Sequence, residues 1–166
     1  MVSTVQSALA IWTELGRSAG TFRYNCVRAG QLNEEGRVDA AINVFRVALG
    51  VGGAFLNRLA EVSLRAPEWT PVCEALNEGT TRMCVDIEDS LAVRSHPPAE
   101  WRSIVKPADA YDVVVASDRA ALEAARDLYR ALGGGVYQIR PVQEFFHLIT
   151  AEVVNASTRP VRSSVN

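Results

Sequence analysis

A chain of 166 residues with 48% hydrophobic and 22% charged residues has the size and balance of one globular domain, able to bury a core without disulfides, metals or an obligatory partner. Its formal net charge of −2 excludes capture of nucleic acid or an anionic membrane by overall charge, because that attraction grows with the number of phosphates neutralised. All but one of the 17 basic residues are arginine, Lys106 being the exception, a usage that points to a GC-rich bacterial or phage genome.

Helical patterning opens the chain. Ser3 is placed to cap a helix start with Gln6 reaching back three residues later, and Val5, Leu9, Trp12, Leu15, Ala19, Phe22, Cys26 and Ala29 then recur at spacings of three and four. Gly16 and Gly20 lie inside this run and predict a break near residue 20. Asn33, followed by Glu34 and Glu35, reads as the next helix start, and Val38, Ile42, Phe45, Leu49, Gly52, Leu56 and Leu59 continue the period. Gly50-Val51-Gly52-Gly53 reads as a turn between two antiparallel helices; the alternative is close approach of a neighbouring helix against small residues. The spacing of Gly36, Ala41, Phe45, Ala48 and Leu49 resembles one helical hairpin of a tetratricopeptide repeat. A shift by that period of about 34 residues retains only the alanine, so no repeat array is expected.

Arg65-Ala66-Pro67 closes this segment, and Pro67 or Pro71 begins another helix, with Trp69, Val72, Cys73, Leu76, Thr80, Met83, Ile87 and Leu91 as its buried face. A connector over 94–110 carries Ser95-His96-Pro97-Pro98, Trp101 and Ile104. Tyr111-Asp112-Val113-Val114-Val115-Ala116 is β-branched and of strand length, and it enters Ser117-Asp118, a favourable helix cap. Leu122, Ala125, Leu128, Tyr129 and Leu132 form a helical face, Gly133-Gly134-Gly135 suit a C-cap, and Val136-Tyr137-Gln138-Ile139 reads as a second strand. Pro141 opens a last helix with Val142, Phe145, Phe146, Ile149 and Val153 on one side, and 155–166 reads as a disordered tail. The expected fold is therefore a helix-dominated α+β domain over 1–154: an antiparallel helical bundle (3–93) followed by a small β-α-β-α unit (111–154). Two strands make a poor sheet alone, so a homodimer through the strand edge at Tyr111 to Ala116 or at Val136 to Ile139 is expected.

The cysteines Cys26, Cys73 and Cys84 are unpaired by any CxxC spacing and fall on apolar helical positions, as buried reduced thiols would. The first residues lack the basic start and apolar core of a signal peptide, and no stretch approaches the ~18 to 20 apolar residues of a membrane span. A cytoplasmic location and no membrane partner are expected.

Reactive groups do not converge in the sequence. The turn Ala116-Ser117-Asp118 has no glycine and sets a carboxylate where a phosphate would lie, against nucleotide binding in the strand-helix mode. The densest acidic group is Asp86, Glu88 and Asp89, with Cys84 beside it and Glu74 and Glu78 one and two turns back; facing Glu34, Glu35 and Asp39, these carboxylates would suit Mg²⁺ or Mn²⁺. All-α nucleotide pyrophosphohydrolases use helical carboxylates, but their ExxE and ExxD pairs are not reproduced here. A solvated acidic face is the simpler reading. His96 and His147 have no adjacent nucleophile and read as structural residues. Arg119, Arg126 and Arg130 alternate with Glu123 and Asp127, so internal ion pairing accounts for them better than nucleic-acid binding. Trp12, Trp69 and Trp101 read as core anchors. The leading expectation is a non-enzymatic interaction, assembly or regulatory protein, without catalytic residues or cofactor and with an unidentified protein partner. The alternatives are a small metal-dependent nucleotide or phosphoester hydrolase on the helical carboxylates, and a small-molecule or nucleic-acid-binding regulator.

Overall fold

The computed structural model describes residues 4–93 and 110–141. The connector over 94–109, Trp101, both histidines, the last helix and the tail lie outside the described residues.

Four α-helices account for most of what is described: α1 (Val5–Glu34), α2 (Val38–Arg65), α3 (Thr70–Val93) and α4 (Ala110–Ala131), with 3₁₀ turns at Pro67–Trp69 and Val136–Gln138. Their buried residues follow a seven-residue repeat. Ala8, Trp12, Leu15, Ala19, Phe22, Cys26 and Ala29 of α1, then Ala41, Phe45, Ala48, Gly52, Phe55, Leu59 and Val62 of α2, and finally Trp69, Cys73, Leu76, Thr80, Met83, Ile87 and Ser90 leading through α3 are spaced alternately three and four apart. This spacing keeps one seam of each helix against its neighbours, as in left-handed bundles. Consecutive helices pack extensively, α1 on α2, α2 on α3 and α3 on α4, whereas α1 and α4 approach each other at few points.

Local chemistry sets the helix ends. Thr4, one residue later than the expected cap, accepts the Ser7 N–H at 3.0 Å and donates its own N–H to Ser7 Oγ at 2.8 Å, a reciprocal capping box. Asn33, expected to start the second helix, is instead buried in the last turn of α1. The true boundary is Gly36, at φ +78°. The Gly36 N–H donates to Asn33 O and the Arg37 N–H to Leu32 O, the paired bonds of a Schellman stop that only a residue comfortable at positive φ completes.

Two predicted interruptions are absent. Helix α1 runs unbroken past Gly16 and Gly20, and α2 runs unbroken through Gly50 to Gly53. Close approach, not a turn, explains Gly52. A Cβ there would lie 2.7 Å from both Phe22 Cε1 of α1 and Cys84 Sγ of α3, so three helices meet over its bare backbone.

The β-α-β-α unit is contradicted, and the described residues contain no strand. Residues 111–116 are the start of α4. Three consecutive valines cost a helix roughly 0.5 kcal/mol each relative to Ala, while complete burial of Val114 contributes about 1.5–3 kcal/mol; with no partner strand to satisfy a ladder, helix wins. Ser117 and Asp118, expected as a cap, are buried inside α4.

Residues 136–138 form a 3₁₀ turn because their surroundings satisfy them singly: Ile139 is fully buried, its carbonyl accepts from Arg126 Nε at 3.0 Å, and the next carbonyl, of Arg140, accepts from Trp12 Nε1 at 2.9 Å. The proposed dimer through a strand edge therefore has no edge on which to form. Gly133 (φ +86°) does cap α4, with Gly133 and Gly134 N–H groups on Arg130 and Tyr129 carbonyls.

Candidate functional site

The core divides into two apolar clusters along the bundle. One gathers Trp12, Leu15, Phe55, Leu59, Trp69, Leu76, Tyr129 and Ile139, and the other Phe22, Cys26, Phe45, Met83, Ile87 and Val114. Between them runs a layer of small and polar groups. The Arg23 guanidinium of α1 forks onto the Asp118 carboxylate of α4, both bonds at 2.7 Å, with side chains 2% and 1% exposed. In the same layer a Cβ on Gly79 would sit 3.0 Å from Ser117 Cβ, so α3 and α4 are nearly in backbone contact there. The buried hydroxyls of Thr80 and Ser117 find no hydrogen-bond partner among the described residues.

This pair bridges α1 and α4, which otherwise approach each other at few points. Burial pushes the Asp118 carboxyl up from its ordinary range, and the contacting Arg23 guanidinium pulls it back, the usual competition for a desolvated ion pair. Its role is positional. Neither described cavity, one along α1 from Gln6 to Ser18 and one between α2 and α3 near Leu59 and Cys73, is lined by Arg23 or Asp118.

The acidic group is dispersed. Asp86 is half-buried and lies 3.5 Å from Arg82 one turn back, while Glu74, Glu78, Glu88 and Asp89 are exposed. Among the described residues no three His, Cys, Asp or Glu side chains come together as metal ligands. On α4, Arg130 pairs with Asp127 at 3.2 Å as the spacing predicts, but Arg126 turns to the Ile139 carbonyl instead. Cys26 and Cys73 are buried and Cys84 half-buried, all as free thiols. Burial raises all three, Cys84 to about 11, which keeps them protonated and unreactive at neutral pH.

The surface feature that sequence reasoning passed over lies on α2. By length and apolar composition this helix would suffice to cross a membrane, and only 28% of its most apolar stretch is buried inside the chain. No charge falls between Arg46 and Arg58. Toward solvent the helix presents Val47, 52% exposed, Gly50, Ala54 and, further on, Leu64, 83% exposed. The flanks are charged: Arg58 reaches across to Glu14 of α1 and along its own helix to Glu61 at 2.9 Å. An uncharged run of eleven residues with only one side in the core was the available signal.

Comparison of the chain with protein-family models, with curated proteins and with solved structures gives no match.

Proposed function

We propose that this protein is a non-enzymatic interaction or assembly module, a helical bundle that offers the solvent side of α2 to a protein partner. One observation carries the reading: α2 holds an uncharged, apolar outer surface through its middle turns, although a lone surface helix ordinarily places charge there. Exposed apolar surface rimmed by charged residues marks contact sites on soluble proteins. The rest of the molecule supports a scaffold. Its apolar seams gather into two core clusters, a buried ion pair joins α1 and α4, and burial raises its thiols. Neither the placement of Glu74, Glu78, Asp86, Glu88 and Asp89 nor the dispersed arginines of α4 favours the hydrolase or nucleic-acid alternatives.

The test is a photo-crosslinking residue at position 54, in full-length protein expressed in the cells that make it. Covalent adducts with protein, absent when the same group replaces exposed Glu78 on α3, support the proposal. Equal labelling at both positions, or adducts with lipid alone, overturns it.

A further inference from the structure

We infer that the buried ion pair of Arg23 and Asp118 is a register lock: it selects where α4 lies along the bundle by disfavouring displaced arrangements, and it contributes little to the stability of the native one. This role is independent of what α2 binds.

Connectivity leaves α4 as the helix whose position needs selecting. The turn from α1 to α2 is fixed by the Gly36 stop, and α2 passes to α3 through the 3₁₀ turn Pro67–Trp69. Turns this short set the register of the helices they join. Residues 94–109 separate α3 from α4, enough chain to reach more than one placement of α4.

Apolar packing discriminates poorly between those placements. Helices α1 and α4 run antiparallel, since Trp12 lies nearest Arg140 and Arg23 nearest Asp118, and the buried seams repeat every seven residues. Slide α4 by one repeat, about 10.5 Å. Tyr129 then takes the place of Leu122 and Ala121 the place of Val114, buried apolar groups for buried apolar groups. The close approach at Gly79 survives too, because Ala124 replaces Ser117 there. Hydrophobic burial is non-directional and tolerates the exchange.

The ion pair does not. The same slide brings Ala125 opposite Arg23 and carries Asp118 to the level of Gly30, a buried position of α1 without a side chain. One repeat in the other direction the equivalent position is Gly16, again buried and uncharged. Either way the Asp118 carboxylate, 1% exposed in the native arrangement, loses a two-bond fork of 2.7 Å that needs both groups aligned. A buried ion pair gains little over apolar groups in the same place, whereas parting it is strongly unfavourable. That asymmetry selects a register. The bond from Trp12 Nε1 to the Arg140 carbonyl lacks it, being neutral and open to replacement by another backbone carbonyl of a displaced chain.

The test compares the full native chain with R23M/D118L, each carrying spin labels on unnatural amino acids at exposed Gln31 of α1 and Glu123 of α4, so that the native thiols are untouched. Double electron–electron resonance gives one narrow distance in the native chain. In R23M/D118L a second population appears, displaced by several ångströms, while the urea midpoint stays close to that of the native chain or above it. The control T80V/S117A removes neighbouring buried hydroxyls, leaves the pair in place and keeps the single distance. A stable R23M/D118L with one narrow distance overturns the inference. A midpoint that falls as far as that of D118A also overturns it, because the pair then stabilises the fold instead of selecting it. So does a second population of equal size in T80V/S117A, which would assign the selection to the polar layer and not to the pair.

Discussion

Asp118→Ala deletes one side of the ion pair that Asp118 forms with the buried Arg23 guanidinium, 2% exposed. Two charge-assisted hydrogen bonds of 2.7 Å are lost with it. Breaking a buried pair in this way costs about 3–5 kcal/mol, most of it the penalty for a stranded charge. Replacing both partners by apolar groups of similar volume, as in R23M/D118L, removes the charges together and returns stability to within about 1 kcal/mol of the native chain, or above it. For a chain of this length the single variant melts roughly 10 °C lower, at about 2–4 °C per kcal/mol. Urea denaturation followed by circular dichroism, with midpoint and slope recorded separately, measures all three proteins on one scale. A loss below about 1 kcal/mol for D118A would refute the assigned role, and so would a double variant R23M/D118L no more stable than D118A.

The glycines of α2 divide by environment. Gly50→Ala raises monomer stability by up to about 1 kcal/mol, while Gly52→Ala, whose Cβ would press on Phe22 and Cys84 at 2.7 Å, lowers it by about 1–3 kcal/mol; thermal melts at low concentration decide both. Gly134→Ala destabilises as well, since its Cβ would overlap the Tyr129 ring, and the accompanying loss of the Tyr129 to Gln138 contact is read from tyrosine fluorescence. Because Cys84 ionises at about 11 in the folded chain against 9.0 when free, the folded state holds its proton where the unfolded state has lost it. Stability therefore declines as pH rises from 9 to 11, and Cys84→Ala flattens that slope in urea titrations at the two pH values.

Much of the helical part is legible because apolar spacing and helix ends are local properties. The face from Trp69 to Ile87 and the glycine stop after α4 both follow from neighbouring residues alone. The failures share one cause: a residue type with two uses was given its local use. Glycine at 52 serves an interhelical contact instead of a turn, and Asn33 serves a buried last turn instead of a cap. The valines at 113 to 115 carry a strand preference worth less than the burial available in a bundle. A longer window would have exposed this, since Val114, Asp118, Ala121 and Ala125 continue the same alternating spacing of four and three. Asp118 was the hardest to place, because its partner is 95 residues away and only a carboxylate on a core position hinted at it.

The account stands most directly on whether the outer side of α2 is covered in the cell. Carbene footprinting with mass spectrometry, run on intact cells and on the dilute purified chain, reports this for each exposed position. Val47, Ala54 and Leu64 lose labelling in cells relative to the purified chain, while Tyr24 and Val85, exposed on other helices, are labelled equally in both. Undiminished labelling at Val47, Ala54 and Leu64 in cells would contradict the account.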